Sequence, residues 1–113
     1  MKTFILFLLI LLFGSLNANA GNVFVTKYDY QADVKVFITK YDYQADLLVY
    51  RVKYDYQASK NDALWFFTDH DYQSKVKIYY TNYDYQADLK IYFVDYDYQA
   101  KWVNKGKFCG IFL

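Results

Sequence analysis

Thr26-Lys27-Tyr28-Asp29-Tyr30-Gln31-Ala32-Asp33 and Thr39-Lys40-Tyr41-Asp42-Tyr43-Gln44-Ala45-Asp46 are the same eight residues, set 13 positions apart. Their centre, Tyr-Asp-Tyr-Gln, returns as Tyr54-Asp55-Tyr56-Gln57, His70-Asp71-Tyr72-Gln73, Tyr83-Asp84-Tyr85-Gln86 and Tyr96-Asp97-Tyr98-Gln99. The six copies are spaced by 13, 13, 16, 13 and 13 residues. Periodic self-similarity of this kind decides the architecture before any other feature does.

Working outward, the phrase closes a unit of 13 residues: 21–33, 34–46, 47–59, 63–75, 76–88 and 89–101, with a tail at 102–113. The extra residues Lys60-Asn61-Asp62 fall in the middle, so the chain reads as one lap of three units run twice. The first seven places of each unit are predicted to form a strand. The third place holds Val23, Val36, Val49, Trp65, Ile78 and Ile91, and the fourth holds Phe24, Phe37, Tyr50, Phe66, Tyr79 and Tyr92. β-Branched and aromatic residues fill both parities, so both faces of the strand are expected to be covered. The fold class is therefore mainly β with short helical turns: six strand-turn repeats in two laps of three.

Each phrase is expected to be the corner that follows its strand. Asp suits an acceptor of backbone amides at the start of a turn, Gln can tie neighbouring backbones, and Tyr can bury a ring while its hydroxyl finds a partner. The chain has no Pro and only 4 Gly, so standard hairpin turns do not reverse it. Connections that avoid threading would make such a chain an antiparallel meander or small barrel.

A catalytic group is needed once, whereas a joint is needed at every corner. Repetition therefore assigns Asp, Tyr and Gln of the phrase to scaffold, with no catalytic residue, metal or cofactor expected. Asp29/Asp33, Asp42/Asp46 and Asp84/Asp88 have a spacing that could hold calcium, but Ser59, Lys75 and Lys101 break it in the other units. Thr26, Thr39, Thr68 and Thr81 form a column resembling an ice-facing array, interrupted by Val52 and Val94. Departures from the repeat cluster in unit four, making Trp65, His70, Ser74 and Lys75 the candidate recognition patch. His70-Asp71 near Ser74 is not a triad, because adjacent His and Asp rarely reach the geometry that activates a nucleophile. Arg51, a charge in an apolar column, is expected on an exposed edge.

Residues 1–20 have a basic start, an apolar run from Phe4 to Phe13 and small residues at Ala18 and Ala20. This is the pattern of a secretory signal peptide cut near Ala20, too short to span a bilayer, and it implies a secreted or periplasmic domain at 21–113. Setting aside Lys2 from the 13 basic residues leaves 12 against 12 acidic ones. That balance argues against nucleic acid as a partner, since no basic stripe is present, and leaves an unidentified extracellular partner or ligand. Cys109 is the only cysteine, which excludes an internal disulfide framework, and its apolar neighbours suggest a buried, inert thiol. Exposed Tyr, Asp and Gln would alternatively suit a carbohydrate or other small ligand.

With these residues laid out, the chain resembles the Septknot family, a small domain family of unknown function. The resemblance rests on the strand followed by Lys-Tyr-x-x-Gln-Ala-Asp, as in Thr26 to Asp33 and Thr39 to Asp46, and covers 22–105, Trp65 and Trp102 included. It implies a compact monomer whose backbone is tied in a deep seven-crossing knot, and it brings no activity, cofactor or catalytic residue. His70 and Ser74 depart from the family pattern.

Overall fold

The computed structural model describes residues 19–113, so the signal-peptide reading lies almost wholly outside the described residues. Seven strands are present: β1 (Asn22–Val25), β2 (Val34–Ile38), β3 (Leu47–Arg51), β4 (Leu64–Phe67), β5 (Val76–Tyr80), β6 (Leu89–Phe93) and the short β7 (Lys101–Trp102). A 3-10 turn on each Asp-Tyr-Gln follows every one of the first six, lengthened in unit three to Asp55–Lys60. Each 13-residue unit is thus one strand and one corner. The strands are shorter than the seven places read from sequence: they end at the fifth place, and the sixth-place amide makes the last bond to the neighbouring strand before the chain turns into its corner.

The first six strands close into a barrel in the order β1-β5-β2-β6-β3-β4 and back to β1. Every pairing within this ring is parallel, and only β7 runs antiparallel, against the start of β3. The expected antiparallel meander is therefore corrected: the corners do not reverse the chain. Ile78 faces both Val25 at the end of β1 and Val34 at the start of β2, and Ile91 likewise faces Ile38 and Leu47. One strand ends at the level where the next begins, so a connection need only step sideways over the strand between them. Corner one packs on β5, corner two on β6, corner three on β4 and corner six on β3. Parallel pairs ordinarily need a dozen residues or more to cross over; here the segment between Val25 and Val34 suffices because no return length is required.

The two laps interleave. β1, β2 and β3 make no pairing with one another, and neither do β4, β5 and β6; β5 fills the gap between β1 and β2, and β6 that between β2 and β3. Alternation along each strand then decides what is inside. All six third-place residues, Val23, Val36, Val49, Trp65, Ile78 and Ile91, are fully buried, joined by Val34, Leu47, Ala63, Val76 and Leu89 from the first place. The fourth-place aromatics lie half-buried on the outer face, covered in part by the corners.

The tail seals the barrel end where the strands start. Phe112 is fully buried with its ring 4.7 Å from that of Trp65, and its carbonyl accepts the Gly21 amide at 2.6 Å. Asp62, from the central insertion, is 5% exposed. Its carboxylate accepts from Trp102 Nε1 at 3.0 Å, from the Phe112 amide at 3.2 Å and from the Gly110 amide, while its carbonyl accepts Trp65 Nε1 at 2.7 Å. Gly21 has φ +80°, and a Cβ there would sit 2.4 Å from Ala58, so this floor requires glycine. Cys109 is exposed, against the buried thiol expected: Phe108, Ile111 and Phe112 take the inward places and leave Cys109 facing out.

Candidate functional site

Six corners present six ring pairs. Tyr28 stacks on Tyr30 with centroids 5.5 Å apart, and the same pairing recurs at Tyr41–Tyr43, Tyr54–Tyr56, His70–Tyr72, Tyr83–Tyr85 and Tyr96–Tyr98. The second Tyr of each pair is 70–78% exposed. The first ring of each pair stands on the extended residue that precedes the 3-10 turn and the second on the second residue of the turn. The phrase rings therefore do not bury, in contrast to the sequence expectation; packing is left to the strand places, and the rings coat the surface.

Asp of the phrase differs as well. Four corners have no cap from a side chain of the residue preceding the Asp-Tyr-Gln turn, and the carboxylates of Asp29, Asp42, Asp55, Asp71, Asp84 and Asp97 accept no hydrogen bond among the described residues. Gln does the tying in five of the six corners, in two ways; in the second corner Thr39 instead donates Oγ1–H to the Tyr41 carbonyl. Thr26, Thr68 and Thr81 donate Oγ1–H to Oε1 of Gln31, Gln73 and Gln86 at 2.9, 3.2 and 3.0 Å. Their hydroxyl oxygens in turn accept the amides of Tyr28, His70 and Tyr83. Where Val52 and Val94 replace Thr, Gln57 and Gln99 accept the Tyr54 and Tyr96 amides directly, at 3.0 and 3.2 Å. The Thr column is thus inward corner chemistry, buried at 4–8% exposure.

The Asp that ends three of the units is a clamp between laps. Asp33 donates its amide to the Lys77 carbonyl and accepts the Lys77 amide on its carboxylate, both at 2.8 Å. Asp46 with Lys90 and Asp88 with Lys35 repeat it. That backbone role occupies the carboxylates read as half of a calcium pair, and among the described residues no cluster of three or more His, Cys, Asp or Glu is placed to hold a metal.

The unit-four patch is only partly assembled. Trp65 is fully buried against Phe112, which corrects its assignment to a recognition surface; its size fits the end of the barrel that the tail closes. His70 is exposed and stacks on Tyr72 at 5.3 Å as a Tyr would. Ser74 Oγ donates to the Asp71 carbonyl at 2.6 Å, and Lys75 donates its amide to the Asn22 carbonyl. These last two stand in for the Ala and Asp of other corners.

Two surfaces were not foreseen. Between adjacent corners run similar grooves: one lined by Tyr79, Lys35, Asp29 and Gln86, one by Phe37, Lys90, Asp84 and Gln44, one by Tyr92, Lys101, Asp42 and Gln99. Each puts a half-buried aromatic floor between an unbonded Asp of one corner and Gln of the next. The parity of the fourth place was the sequence signal for the floor; the meeting of two corners was not, since the laps interleave. The other surface is the barrel end away from the tail, where the fifth places converge. The Arg51 guanidinium lies 4.6 Å from the centroid of Phe67, and Phe67 lies 6.2 Å from Phe93. Burial raises the Tyr80 phenol above its ordinary pKa of 10.0, partly offset by the nearby charge of Arg51. Arg51 is exposed, as expected, but on the rim of the mouth.

Among the described residues no helix is long and apolar enough to cross a membrane. A family model described as a 7(1) septoil knot domain, Septknot, matches residues 20–103. No curated protein and no solved structure matches the chain.

Proposed function

We propose that this chain, which belongs to the Septknot family, is a secreted, non-catalytic interaction module that holds paired aromatic rings toward an extracellular partner. The observation that carries the reading is the repetition of one exposed stacked pair on six equivalent corners. Large amphipathic rings held in one rotamer give contact area at low entropic cost. Clusters of exposed rings also mark interaction surfaces more reliably than single exposed apolar residues do. The test compares the protein with a variant carrying Ser at Tyr30, Tyr43, Tyr85 and Tyr98, crosslinked to the extracellular fraction of its source. The variant keeps its melting temperature and loses the captured partner; an identical capture by both proteins overturns the reading.

The scaffold is proposed to be knotted and slow to unfold. The interleaved laps and the description of the family support this. Pulling the chain by its two ends should stop short of full contour length; complete extension would exclude the knot. Rapid digestion of the domain by a nonspecific protease at room temperature would exclude kinetic resistance.

A second reading is favoured by the repeated grooves, whose aromatic floor, carboxylate and amide suit the apolar face and hydroxyls of a sugar ring. A glycan array decides it: binding lost on Tyr79→Ala and Tyr92→Ala supports it, and signal at background ends it.

A further inference from the structure

The two ends of the barrel are treated differently by the sequence. One is closed by Phe112, Trp65 and the bonded Asp62. Among the described residues the other has no plug: Val25 and Ile38 are 38% and 43% exposed, and Phe67, Tyr80 and Phe93 are half-buried around a cavity of about 520 Å³.

Into this apolar rim the chain places Arg51, at a position that holds Val, Ile, Phe or Tyr in the other five units. Its guanidinium is stacked on Phe67, and among the described residues it is paired with no carboxylate. Asp69 and Lys27 also line the cavity and offset one another in charge, leaving Arg51 as the net charge of the mouth. A guanidinium fixed on a ring presents its fork of donors outward, the geometry that recognises a carboxylate.

We propose that the open end of the barrel binds a small amphipathic carboxylate, with the carboxylate on Arg51 and the apolar body over Phe67, Tyr80 and Phe93. The Tyr80 phenol, held in its protonated form by burial, supplies a further donor. This site is independent of the corner rings and of the outer grooves.

The experiment is an NMR titration of the protein with 2-naphthoate, with 2-naphthylmethanol as the neutral counterpart of the same shape. Saturable shifts confined to the ends of β1, β3, β4, β5 and β6 are expected, with the alcohol binding at least about tenfold more weakly. Arg51→Gln should bring naphthoate down to the affinity of the alcohol, and Arg51→Lys should keep part of the difference. Arg51 is exposed, so both variants should hold the parent's melting temperature. Equal binding of acid and alcohol, shifts centred on the tyrosine corners, or no saturation would each overturn the proposal.

Discussion

Asp62 shows how one side chain can organise an end of the molecule. Its carboxylate is buried and compensated by three N–H donors rather than by a cation. Asp62→Asn keeps the shape but turns one acceptor into a donor facing donors. Leaving such groups unsatisfied costs on the order of 3 kcal/mol, to be read as a fall in the urea midpoint at unchanged slope. Tyr80 gives a pH signature. Its folded pKa lies above the unfolded value of 10.0, so its stabilising effect is complete below pH 10 and is lost as pH rises above it, where the unfolded chain ionises first. Tyr80→Phe should flatten that part of the stability profile, measured by denaturation across the alkaline range.

At the scale of the element, the corner explains why Val52 and Val94 interrupt the Thr column without breaking the repeat. Gln57 reaches the Tyr54 amide that a Thr hydroxyl would otherwise accept. Gln57→Ala should therefore cost about 1 kcal/mol, and Gln31→Ala less, because Thr26 still accepts the Tyr28 amide; paired melting curves would rank them. The clamp gives a local readout: Asp33→Ala should speed hydrogen exchange at the Lys77 amide while leaving amides of β3 unaltered. The strands and corners were legible because hydrophobic parity and the Tyr-Asp-Tyr-Gln period are local signals. Strand direction was not, since it depends on which strand fills the gap left by a neighbour. The exposure of the phrase rings was hidden for a related reason: the strand places already fill the interior, and only the assembled barrel shows that no room is left inside for the corner rings. Trp65 misled because it is an outlier by size in a column that is entirely buried.

At the scale of the molecule, the barrel is held shut by a tail outside the repeat. Phe112→Ala removes a fully buried ring packed on Trp65 and should cost about 3–5 kcal/mol, seen as a lower urea midpoint. The pairings also have a temporal consequence. The clamps between laps join residues separated by 44 to 53 positions along the chain, and the first three strands have no partners among themselves. A growing polypeptide that has reached only Arg51 owns half a barrel's strands and not one of its ladders. The barrel's ladders are therefore expected to form only once β4 and β5 have emerged, late in synthesis, with the first half of the chain unpaired until then.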